Sequence, residues 1–180
     1  MKKLLINTRY FMAPLLIIIT ALGLAMGGLY VWVGVALFVI GIAVDTLTMF
    51  AHPPGAGVDK NGNPNANPML QNTVMYLMLP VFVILQIVFA YRLFEYTNGA
   101  EFQIMYLFGA IPIQLGITGT ELVGAALSTG IFAGIGIIYG HELAHTKGFS
   151  FVISRLMMGL SGSAHFSYAH VYNHHLELAS

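Results

Sequence analysis

Residues 121–148 read ELVGAALSTGIFAGIGIIYGHELAHTKG. The stretch 121–140 holds one charge, Glu121, at its first position. A helix that crosses a bilayer needs about 20 mostly apolar residues, and 121–140 meets that requirement. Directly after Gly140 the chain turns polar, with His141-Glu142-Leu143-Ala144-His145. A membrane-length run therefore ends on a pair of histidines.

The rest of the chain has the same character. Its 180 residues are 57% hydrophobic and 8% charged, with a mean hydropathy of +0.78. A soluble domain is about 25% charged. Seven Lys and Arg with seven Asp and Glu cannot coat a water-soluble globule of this length. This excludes a soluble enzyme, a disordered chain and a basic nucleic-acid binder. The formal net charge of zero gives no bulk attraction to nucleic acid. Cysteine is absent, which excludes disulfides, thiolate metal sites, iron–sulfur clusters and a cysteine nucleophile. Any metal must be held by His and carboxylate.

Apolar runs at 10–27, 29–50, 73–94 and 120–140 are four candidate spans. The basic start MKKLLINTRYFMAPLLIII also suits a signal peptide, but a second span comes at once, so the first is expected to be a retained anchor. Gly27-Gly28 joins the first two runs as a tight hairpin, and 51–70, rich in Pro, Gly and Asn, is an aqueous loop. Pro80 is tolerable inside the third run. The segment 102–117 is expected to be a re-entrant or interfacial helix. With four crossings, Lys2, Lys3, Arg9, Lys60, Lys147 and Arg155 share one side and Arg92 alone is on the other. The positive-inside rule favours that split and puts the N-terminus and everything after Gly140 in the cytoplasm. The expected fold is all-α. It is a polytopic membrane helix bundle of about four spans plus the re-entrant helix, with residues 1–180 forming a single membrane domain.

Two small-residue pairs, Gly130/Gly134 and Gly136/Gly140, are expected to let helices approach closely. Asp45 and Glu121 are acids in or beside apolar runs. Each is either a functional group or a helix-end acid at the headgroup level.

Six of the seven histidines lie between positions 141 and 175; only His52 is elsewhere, in the polar loop, where it is expected to be solvated. His141 and His145 are four apart and share a helix face. His170 and His174 repeat that spacing, and His175 adds a third ring. This HxxxH plus HxxxHH pattern makes His141, His145, His170, His174 and His175 the candidate metal ligands. Imidazole suits Fe, Zn, Cu and Ni, and an all-nitrogen shell argues against a structural zinc knot. His165 is a neighbour of the second group rather than an expected ligand. Glu142 could orient an imidazole, bind metal or act as a base. Tyr168 and Tyr172 are expected to be interfacial aromatics.

The segments GHELAHTKG (140–148) and LSGSAHFSYAHVYNHHLELAS (160–180) resemble the His boxes of the integral-membrane alkane monooxygenases, the alkane omega-hydroxylases. These belong to the superfamily of membrane fatty acid desaturases and hydroxylases. Early paired spans and Asp45 also suit that family. Ala169 stands where the family usually has Glu, and Tyr172-Asn173 replaces Arg-Gly. The resemblance implies two non-haem irons held by the five candidate histidines and by further His ligands beyond Ser180. The chain is therefore expected to be an N-terminal part of a longer protein, inactive by itself. It implies O₂-dependent hydroxylation of the terminal methyl of alkanes or alkyl chains, with electrons from rubredoxin or ferredoxin and its reductase.

A fatty acyl desaturase or a xylene-type methyl hydroxylase of the same superfamily is the alternative. His141 to His145 also matches HExxH, the zinc metalloprotease pattern with Glu142 as base, but that reading leaves the second group of histidines without a role. A transport or structural protein whose histidines carry metal is the non-enzymatic rival.

Overall fold

The computed structural model describes residues 7, 8, 10–48 and 67–170. Lys2, Lys3, Arg9, His52, Lys60, Tyr172, His174 and His175 lie outside this set. In chain order the elements are α1 (Met12–Met26), a 3₁₀ helix (Gly28–Trp32) leading into α2 (Val33–Thr48), α3 (Pro68–Thr97), β1 (Gln103–Leu107), β2 (Ile111–Leu115), α4 (Gly119–Ala144), α5 (Phe149–Leu160) and α6 (Phe166–Tyr168).

Three helices among the described residues are long and apolar enough to cross a membrane: Gly28–Thr48, Pro68–Thr97 and Gly119–Ala144. They match the second, third and fourth expected spans. The first expected span forms a helix of only 15 residues, about 22 Å long at 1.5 Å per residue. Asn67 caps the start of α3 by accepting from the Met69 backbone N–H at 3.0 Å, with Pro68 at the first helical position, where its missing N–H costs nothing. Pro80 lies within the same helix without ending it.

The expected helix at 102–117 is instead an antiparallel hairpin, so the fold is mostly helical rather than all-α. Its register pairs Met105 with Ile113, Tyr106 with Pro112 and Leu107 with Ile111. Ile and Tyr fit a pleated surface. Gly109 takes φ +71° in the turn, a left-handed conformation open to glycine without strain.

The four long elements run up and down. α1 and α3 start at one end together, where Gln71 Nε2 donates to Tyr10 Oη. They finish together at the other, where Arg92 of α3 donates to the Leu24 and Ala25 carbonyls of α1. α2 and α4 run the opposite way. Ser128 of α4 donates to Val31 O at 2.7 Å and accepts from Val35 N, and a side chain on Gly34 would collide with Ser128. Trp32 lies against Gly124. Ile17, Leu24, Val31, Met78, Phe82, Leu85 and Phe132 fill the core between them.

Arg92 is not the free far-side charge that the span count assumed. It is 1% exposed, paired with Glu95, and also donates to Gln114 O of β2; Glu95 accepts from the Gly116 N–H. One buried pair thus joins the last carbonyls of α1, which have no partner inside their own helix, to the root of the hairpin. Glu121 closes a capping box with Thr118 at the start of α4 and accepts from Gln114 Nε2, so it is a structural helix-end acid.

Of the glycine pairs, Gly136 and Gly140 make the close approaches, to Phe82 and Met158. Gly130 and Gly134 have nothing within 4 Å.

Candidate metal centre

The last turn of α4 brings His141 and His145 to the end of the bundle opposite the hairpin. The third histidine arrives by a longer route. α5 turns back along α4: Ser154 Oγ donates to Gly140 O at 2.6 Å, and Ser161 Oγ donates to Ala133 O at 3.0 Å. Gln86 of α3 donates to the Leu160 carbonyl at the end of α5. Gly140 permits the contact, because a Cβ there would lie 2.9 Å from Met158. The chain then reverses and returns through α6. Ser167 Oγ lies 3.5 Å from Ser154 Oγ and donates to Met158 Sδ at 3.1 Å. On the outer side Tyr168 packs edge-on against Phe151 and lies under the Arg155 guanidinium, 4.8 Å from its ring centre. This pair of anchors sets His170 beside His141.

The Nε2 atoms of His141 and His170 are 2.8 Å apart, and those of His141 and His145 are 3.4 Å apart. Ligand atoms of all three lie within 4.8 Å of one another, so the triad could hold a metal ion. Two nitrogens bound to one ion at about 2.0–2.1 Å are separated by about 2.8–3.4 Å when the angle between them is 90–109°. The two shorter separations match that interval. Without an ion, His141 and His170 must share a proton, one ring donating and the other accepting. Phe166 stacks on His170 at 5.2 Å with 16° between the planes, and so covers one face of that ring.

Of the expected ligands, His141, His145 and His170 come together; His174 and His175 lie outside the described residues. His165 is exposed and outside the triad. Glu142 Oε1 lies 3.6 Å from His141 Nδ1, the ring nitrogen on the side away from the other histidines. A carboxylate there can hold a ligand imidazole in the tautomer that frees Nε2.

The bundle holds two cavities of about 300 Å³, one of which reaches the centre at Glu142. That one, between Tyr10 ahead of α1 and the helices α3 and α4, has a polar side of Gln71, Asn72, Tyr139 and Glu142 against Val74 and Met75. The other, between α1, α2 and α4, is apolar, lined by Leu16, Leu37, Ile42, Phe132 and Ile135, with Asp45 as its single charged wall. Sequence reasoning found the histidines but missed Phe166, Ser154 and Ser167. The serines carry no sequence signal, and only the packing of α5 reveals their role.

Comparison with models of known protein families, with curated proteins and with solved structures finds no match to this chain.

Proposed function

We propose that this chain supplies part of the His-rich non-haem di-iron centre of a membrane oxygenase that hydroxylates the terminal methyl of alkanes or alkyl chains. The observation that supports this reading is the convergence of His141, His145 and His170 at the end of a membrane-length helix. Donors so placed meet an apolar substrate where the bilayer delivers it. In this reading the triad holds one part of the cage, and His174 and His175 supply more. Two irons held there would provide the oxidising power that an unactivated C–H bond requires.

The chain's own tasks are geometric. The Gly140–Ser154–Ser167 contacts fix the separation of the rings. Glu142 orients His141, and Phe166 keeps water from one face of His170. The apolar cavity beside α2 accepts an alkyl chain by shape. One methylene is worth only about 1–3 kcal/mol of discrimination, so chain-length preference is broad. Electrons come from a separate rubredoxin or ferredoxin and its reductase, since the chain has no cysteine to hold an iron–sulfur cluster. In this reading the protein is integral to the membrane, the cell inner membrane in a bacterium, and the exposed Lys147 and Arg155 support a cytoplasmic histidine end.

Metal analysis of the protein extracted from membranes, with n-octane and a fatty acyl chain fed to cells that express the full gene, tests the proposal. Bound iron that is lost on His141→Ala or His170→Ala, together with octanol formation, supports it. An alkene from the acyl chain moves the reading to a desaturase. A single zinc with no oxidation product moves it to the HExxH hydrolases.

A further inference from the structure

The bundle end away from the histidines is inverted relative to a protein surrounded by water. In the last turns of α3 the two charged residues face inward, Arg92 at 1% and Glu95 at 5% exposure. Their neighbours Tyr91, Leu93, Phe94 and Tyr96 face outward, Phe94 at 62%. Charge inside and hydrocarbon outside means that the surrounding medium here is apolar.

The hairpin continues that surface. Phe102, Ile104, Met105 and Tyr106 are exposed, and Phe108 in the turn is exposed at 90%. The pairs Met105–Ile113 and Leu107–Ile111 make one face apolar, and Tyr106–Pro112 does the same for the other. Positions 102–120 hold no charged residue. In water such a two-stranded blade would be an aggregation site. Its root is nevertheless held firmly, by Arg92 on Gln114 O and by the Gly116 N–H on Glu95.

We propose that the hairpin Gln103–Leu115 is a lipid-seated anchor, with Tyr106 and Phe108 inserted at the headgroup–acyl boundary of the leaflet away from the histidines. Its backbone sets the depth. The sheet has two strands, so each carries an outer row of N–H and C=O groups, which hydrocarbon does not tolerate and the hydrated headgroup zone does. Aromatic rings favour that same zone. Pro112 removes a donor from β2 and blunts it as a template for strand addition by a second copy.

The test uses the full chain in phosphatidylcholine vesicles with Phe108→Trp, and Tyr106→Trp as an independent second position. The signal of the native Trp32 is subtracted with the unsubstituted protein, and helix content by circular dichroism confirms folding. The expected result is loss of the introduced fluorescence when the lipid carries bromine on the upper acyl chain, with little loss to aqueous iodide. Quenching by iodide alone would put the hairpin in water and overturn the proposal. Quenching chiefly by bromine at the chain ends would bury it in hydrocarbon, and quenching by neither reagent would mean that protein covers it. Either of these also overturns the proposal.

Discussion

The Nε2 atoms of His141 and His170 lie 2.8 Å apart although 29 positions of chain separate them. His141 is fixed by α4, whereas His170 is carried there by α5 and the return through α6. Replacing either ring should therefore remove bound metal. In elemental analysis His141→Ala and His170→Ala are expected to lose most of it, and His165→Ala to keep the wild-type amount. Retention of metal by both ligand variants would show that the triad is not the site.

Glu142→Gln tests the carboxylate behind His141. Loss of such an outer partner typically lowers metal affinity about 10–100-fold. Competition titration with a chelator is expected to show a drop in that range with stoichiometry unchanged.

Ser154→Ala removes the hydroxyl that ties α5 to Gly140 O and approaches Ser167. A buried hydrogen bond contributes about 0.5–1.5 kcal/mol, so the loss in stability is modest. Metal affinity should fall as well, because the position of His170 depends on the same contact. A variant that is destabilised yet binds metal as tightly as wild type would break that link.

Gly136→Ala and Gly130→Ala form a matched pair on one helix. A methyl at 136 would lie 2.8 Å from Phe82, whereas at 130 it meets nothing within 4 Å. Overpacking at 136 should cost about 1–3 kcal/mol. At 130, alanine should be neutral or stabilise by about 1 kcal/mol through helix propensity. Detergent unfolding curves followed by circular dichroism would separate the two.

Arg92→Met leaves Glu95 buried without its partner, at a cost of about 3–5 kcal/mol. Adding Glu95→Gln should recover part of this but not all, because Ala25 O and Leu24 O still lose the guanidinium, Leu24 O keeping only the Gly27 N–H. Full recovery in the double variant would mean that the guanidinium contributes nothing to holding α1.

The helices were legible because apolar runs of membrane length admit few other structures, and the histidine triad was foreshadowed by the four-residue spacing of His141 and His145. The hairpin was not. QIMYLFGAIPIQL is nearly continuous in apolar residues, and such a run does not separate helix from strand by periodicity. Gly109 and Pro112 were the available clues, since a turn glycine and a proline both argue against an unbroken helix. Arg92 misled in another way. Its position near the end of the third run counts it as the lone far-side charge, and only the fold shows Glu95 and three carbonyl groups around it. Glycine spacing identified the helix that packs closely but not which pair does so, because facing partners are set by tertiary arrangement.

The shortness of α1 bears on where the protein can reside. Its outer side presents Leu15, Ile18, Ile19 and Leu22, yet its 15 residues reach about 22 Å, against a hydrocarbon thickness of about 30 Å. Were α1 to face the acyl chains along its whole length, the lipids beside it would have to shorten, while the longer α3 and α4 would meet full thickness on the other side. Such hydrophobic mismatch carries a modest cost per ångström, so the protein is expected to accumulate in thin membranes and to tilt in thick ones.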